Sequence, residues 1–479
     1  MKLASFFIFF SLIHSFYIRE LKANTLSDEI NNLLKSYENQ IDIKLYIRSL
    51  SSLQMSYYKS EDAAINPQGM NKIFLSAAAL ELLGPDYVFE TNVYFFDKID
   101  LGVLKGGLVF KGSGDPSFKI QDLQALIEQI KKGGIKEIHG DIFIDKTEFD
   151  DVKYGPGSCS GCLSKPSYAV EAILLNRGLA EIEVKPAEIA MMSPYIDTSK
   201  ACSHLCIEND IIMANIEKSD RNPLIRKKGS NENPWYVLEG VMPIGSKPCK
   251  FELPVKNPSL VLAQQIQALL KKNQIKHEGK ILFGKKEGTL HLLASHQSLP
   301  LHYLIRSMVK KDDDFFADCI LKKGGRVRFG EPGSWPSGSQ LIREFILKTI
   351  GKIEGPLIIV DGSGSSRFNQ VSLKTIGDFL YQYEKKSEYY YELATALSLS
   401  GIDGSLRKRF KTKSLNGKFR GYHNLSGVDS LMCGYLKGSN GEMIVLALNT
   451  KIKKGFDQDL PKQLEDKLCD ILCMFKGEK

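Results

Sequence analysis

Past Tyr17 the chain has no apolar run long enough to cross a bilayer, which excludes a bundle of membrane helices. It also lacks a charge excess of the size a polyanion-binding protein carries. Its 64 Lys and Arg against 56 Asp and Glu leave +8 on 479 residues. Two basic clusters, Arg226 to Lys228 and Arg407 to Lys413, come without any nucleic-acid motif. They read as solvated faces, with peripheral contact to an anionic surface as the alternative, and no nucleic-acid partner is expected. What is present, 43% hydrophobic and 25% charged residues, fits a globular chain of two or three domains.

The first segment carries Lys2, an apolar run from Leu3 to Tyr17 and then polar residues. That is the pattern of a secretory signal peptide, residues 1–23, cut after Ala23; an uncleaved anchor is the alternative. Export implies a periplasmic protein and an oxidising compartment. Of the nine cysteines, Cys159, Cys162, Cys202 and Cys206 lie close in sequence. Their spacing could hold zinc, but in an exported chain disulfides are the reading adopted. Cys469 and Cys473 sit four apart on an expected C-terminal helix and face its core.

Residues 66–86, NPQGMNKIFLSAAALELLGPD, form the stretch around which the rest is arranged. Pro67 ends a loop, a helix rich in Ala and Leu follows, and Gly84-Pro85 stops it. Its apolar side chains run almost all round, so the helix is expected to be buried. Lys72 is out of place in its first turn, because a helix N-terminus and apolar surroundings both disfavour a cation.

Around it, strands are expected at 41–47, 53–58, 92–96, 108–111 and 138–144, with a helix at 120–132. From 154 to 233 Gly, Ser, Cys and Pro dilute the pattern. Regular structure resumes with helices at 257–271, 300–311 and 315–323. Strands at 428–436 and 443–449 and a helix at 463–475 close the chain.

The 66–86 stretch resembles the core helix of D-alanyl-D-alanine carboxypeptidase/endopeptidases of the penicillin-binding protein 4 type. That family carries P-A-S-N-x-K-L-x-T-x-A-A-A-L-x-x-L-G-P-D. Further strings resemble it as well: GSGDPSF at 112–118, Asp361-Gly362-Ser363-Gly364, Gly401 to Arg409, and Leu425 to Tyr435. The resemblance implies an α/β (mixed α+β) serine β-lactamase/transpeptidase-like domain with a nested two-domain insertion. The first domain would take 24–87 and 291–479, the inserted domain 88–153 and 235–290, and the inner lobe 154–234.

The same alignment shows what is missing. The family's nucleophilic serine falls on Gly69, and its lysine on Lys72. Its S-x-N triplet falls on Asp312, Asp313 and Asp314, and its K-T-G on Gly421, Tyr422 and His423. Acyl transfer needs a hydroxyl nucleophile, a base, an oxyanion hole and a cation for the substrate carboxylate. Gly69 has no oxygen, and losing a serine nucleophile costs about a millionfold in a protease.

Should Asp312 or Asp314 approach Lys72, the lysine stays protonated. Two carboxylates are a poor metal set, so neither metal nor cofactor is expected there. Arg420 could replace the missing cation, and His423 could add an imidazole; both are candidate substrate-binding residues. Other S-x-x-K matches, Ser56/Lys59, Ser307/Lys310 and Ser405/Lys408, stand where the family has no nucleophile. The expected function is therefore a catalytically inactive homologue that binds a peptidoglycan peptide or an envelope protein. The alternative is an active serine-type carboxypeptidase with a displaced nucleophile.

Overall fold

The structure, a computed structural model, describes residues 26–51, 55–157, 168–198, 205–215, 223–230, 233–439 and 441–474. The expected leader, Cys159, Cys162 and Cys202 lie outside the described residues. The chain divides into two compact units. One is Met1–Pro85, Leu301–Asp314 and Ser339–Lys479; the other is Asp86–Pro300 and Phe315–Gly338.

The first unit is built on a six-stranded antiparallel sheet. Its order is Ser56–Lys59, Ile41–Ser49, Met443–Ile452, Asp429–Lys437, Phe419–Ser426 and Ser398–Leu399. Strand alternation sorts the side chains between two helical layers. Ile41, Ile43, Leu45 and Ile47 face a core shared with Leu464, Leu468 and Leu472 of the helix Leu460–Met474. Tyr46 points the other way and donates its hydroxyl to Asp378 Oδ1 at 2.8 Å, on the helix Leu373–Lys386. The helix Met70–Leu83 joins that second layer. Its residues 70–80 are all buried, and Phe74 meets Phe379 edge-on at 4.9 Å. Gly84, at φ +83°, caps it and donates its N–H to the Leu80 carbonyl.

A small sheet of Leu357–Ile358, Gln370–Ser372 and Ala64–Ile65 then sets two loops side by side. One leads into the Met70–Leu83 helix and the other carries Asp361 to Ser366.

In the second unit, five strands form a mixed sheet against the helices Ile120–Lys132 and Pro258–Lys272. The single strand expected over 138–144 is two, Glu137–Ile138 and Ile142–Asp145, in different sheets. The chain turns at Gly140, against whose backbone Gly106 lies too close for any side chain. A further core joins Ile182, Ile211, Tyr236, Leu238 and Leu253 between two three-stranded sheets. Strands Pro234–Pro243 and Cys249–Pro254 are part of those sheets, paired with Ile207–Ala214, Leu224–Gly229 and Leu179–Lys185.

The described residues form no disulfide among themselves; Cys469 and Cys473 are buried in the core. No helix among the described residues is long and apolar enough to cross a membrane.

Candidate functional site

Gly69 is the N-cap of the buried helix, with φ −64° and ψ −2°. Any residue could adopt that backbone; what it lacks is room. A Cβ built there would lie 2.6 Å from Tyr422 Oη and 2.8 and 2.9 Å from two ring carbons. The Gly69 N–H donates to Tyr422 Oη at 2.9 Å. The seat of the missing side chain is thus filled by a phenol. Burial raises the Tyr422 pKa well above the ordinary phenol value, and Asp312 adds to the shift, so the hydroxyl stays neutral.

One turn on, Lys72 is almost wholly buried. Its ammonium donates to Asp312 Oδ1 at 2.7 Å, Asp314 Oδ1 at 2.6 Å and the Ser363 carbonyl at 2.8 Å. Three N–H groups meet three acceptors, so its donor capacity is filled. Burial works against the charge, but Asp314 and Asp312 outweigh it and hold the pKa above the usual lysine value. A lysine in that state cannot take up a proton.

The acidic side is held from the helix Asp314–Phe329 and the turn before it, where Asp312 sits at φ +54°. Asp314 is further tied by Ser365, whose hydroxyl donates to Oδ2 at 2.7 Å. The Asp361 loop is locked in turn. Asp361 accepts from the Gly364 and Ser366 amides and from Asn369 Nδ2. Its carbonyl accepts from Asn71 Nδ2 at 3.1 Å. This loop delivers the Ser363 carbonyl to Lys72.

The strand Phe419–Ser426 separates the remaining candidates by its pleat. Tyr422 turns toward Gly69, and Asn424, two residues on, donates to Gln68 Oε1 at 2.8 Å. His423 turns the other way and is not part of the site. Its Nε2 lies 2.8 Å from Arg409 Nη1 and 3.1 Å from Glu465 Oε2, behind the sheet. That alternation places His423 on the opposite face of the sheet from Tyr422 and Gly69, against the expectation that it joins them. Gly421 has no room for a side chain in this backbone. A Cβ there would lie 2.2 Å from the Cys433 carbonyl, because Gly434, at φ +153°, brings the neighbouring strand close. Arg420 donates to the Ala394 carbonyl at 2.9 Å.

Gly69, Lys72, Asp312, Asp314 and Tyr422 therefore come together, whereas His423 does not. Sequence reasoning missed Ser365, Gln68 and Asn424. Asn424 was recoverable from period-two alternation with Tyr422; Ser365 depends on a loop path that no local pattern reveals.

The scaffold is that of the penicillin-binding and serine β-lactamase class. The crystal structure of penicillin binding protein 4 from Haemophilus influenzae overlays with a TM-score of 0.80 at 23% identity, covering 93% of this chain and 99% of that one. The chain belongs to the D-Ala-D-Ala carboxypeptidase 3 (S13) family, whose sequence model matches residues 26–472. Among relatives, the D-alanyl-D-alanine carboxypeptidase DacB of Haemophilus influenzae is 29% identical over 371 residues, 74% of this chain and 75% of that protein. The D-alanyl-D-alanine carboxypeptidase of Actinomadura sp. (strain R39) is 24% identical over 440 residues, 88% of this chain and 79% of that protein.

Proposed function

We propose that this chain is a non-catalytic member of its family, exported by residues 1–23 to the periplasm, where it binds wall peptides or an envelope protein. The observation that carries this reading is the phenol of Tyr422 in the space that a nucleophile at residue 69 would need. Lys72, saturated by Asp312, Asp314 and Ser363, supports it, since no base is left to activate a hydroxyl. The carboxylates also argue against the usual recognition of a terminal carboxylate, because like charges repel. A bound peptide would then be held by its backbone or by cationic groups.

Two assays on the exported chain test this. Incubation with a pentapeptide ending in D-Ala-D-Ala is expected to release no D-alanine above the buffer rate. Release abolished by substituting one of the serines would overturn the inactivity and establish the displaced-nucleophile alternative. Co-sedimentation with purified peptidoglycan is expected to retain the chain. Failure both to sediment and to capture an envelope protein from the periplasm would overturn the binding role.

A further inference from the structure

We propose a divalent-cation site of the zinc type in the second unit, formed by Glu137, His139 and Glu278, remote in sequence from the Lys72 cluster. Glu137 and His139 are two apart, at the end of the short strand Glu137–Ile138, so both project from one face. The strand Lys276–His277 pairs parallel to it, Lys276 opposite Glu137 and His277 opposite Ile138. That register sets Glu278 beside His139, and the Glu278 amide bonds to the Ile138 carbonyl at 3.0 Å. The three backbones are thus held by ladder bonds before any ion arrives.

The side chains converge accordingly. His139 Nε2 lies 3.3 Å from Glu137 Oε2 and 3.9 Å from Glu278 Oε2, and the three ligand atoms lie within 4.8 Å of one another. A tetrahedral zinc with bonds of about 2.0–2.1 Å holds its ligand atoms roughly 3.3–3.4 Å apart, so small rotations suffice. One imidazole and two carboxylates suit zinc better than calcium or magnesium, which take oxygen alone. All three side chains are partly exposed, which leaves the fourth position to water.

One local cation competes. Lys276 Nζ bonds Glu278 Oε1 at 2.6 Å. That contact takes Oε1 and leaves Oε2, the oxygen nearer His139, for the metal. The edge strand Lys276–His277 is only two residues long, in a sheet whose other strands are equally short. An ion shared by Glu137, His139 and Glu278 clips that edge to its neighbour across about 140 residues of sequence.

The test is calorimetric titration of the EDTA-treated full chain with zinc, beside His139→Ala and Lys276→Ala. His139→Ala is expected to remove one equivalent or weaken it at least about tenfold. Lys276→Ala is expected to tighten the same equivalent, because the competing ammonium is gone. Thiol binding elsewhere in the chain responds to neither change. Because His139 and Lys276 are exposed, both variants should fold, and circular dichroism checks that. A His139→Ala titration superimposable on the parent's would overturn the site, as would zinc binding that Lys276→Ala weakens.

Discussion

Two charged clusters flank the strand Phe419–Ser426, one on each face of the main sheet. On one face Lys72 is bound by Asp312, Asp314 and the Ser363 carbonyl. On the other, Arg409 meets Glu465 at 2.7 Å and Asp466 at 2.9 Å, with His423 and Ser430 completing the set around Glu465. The rear cluster is structural: Glu465 is fully buried, on a helix that closes the core. The front cluster, around Lys72 at the start of the buried helix, is built in the same way. Every charge is met by an opposite charge or a fixed dipole. Each cluster has one open edge, Asp312 at 44% exposure in front and Asp466 at 49% behind, around a central charge that is buried.

The comparison can be broken by removing the central charge of each cluster. Breaking a buried pair from one side costs about 3–5 kcal/mol. Glu465→Gln should reach that range, because Arg409 is left with one of its two carboxylates. Lys72→Met should cost less, about 2–3 kcal/mol, since water reaches Asp312 and relieves part of the uncompensated charge. Urea unfolding of both variants reads the difference. A Lys72→Met chain as stable as the parent would mean that the front cluster contributes no stability and the parallel fails.

The two clusters should also fail at opposite ends of the pH scale. Burial raises the Glu465 pKa, but His423, Arg409 and Ser430 outweigh it and bring the pKa below the ordinary carboxylate value of 4.5. Its stabilisation is therefore present above pH 4.5 and is lost as pH falls through the folded-state value. The Lys72 pKa is raised above 10.5, so its stabilisation is present below that pH and is lost as pH rises through the folded-state value. Unfolding measured across pH should show Glu465→Gln flattening the acid limb and Lys72→Met flattening the alkaline one. The reverse assignment would contradict both ion networks.

The smallest expected effect is steric. Gly69→Ala places a Cβ against the Tyr422 ring and should cost about 1–3 kcal/mol by overpacking. In the Tyr422→Ala background the same change should be close to neutral, and that coupling appears in a double-mutant cycle. Additive effects would mean that the ring does not occupy the seat.

Much of this was legible in the sequence, for physical reasons that also explain the rest. The Met70–Leu83 helix is announced by its Ala and Leu content and by Gly84, all local signals. The strands Ile41–Ser49 and Met443–Ile452 show runs long enough to read. Lys72 stood out because a buried cation at a helix start demands a partner, and the Asp312 to Asp314 triplet was a natural supplier. The Tyr422 phenol in the nucleophile seat was not legible, because it depends on strand pleat and on register across the sheet. The face that His423 takes was hidden for the same reason, since a one-residue step along a strand reverses the face. Strand Pro234–Pro243 sits between Ile207–Ala214 and Leu224–Gly229 in one three-stranded sheet, through pairings that no periodicity specifies.

The central claim is that residue 69 offers no nucleophile and that Tyr422 fills its place. Intact-mass spectrometry of the unsubstituted chain after incubation with a penicillin tests it most directly. An unchanged mass is the predicted result, with Gly69→Ser equally unlabelled while Tyr422 remains. A stable mass increase equal to the β-lactam, mapped to any serine of the unsubstituted chain, would contradict it.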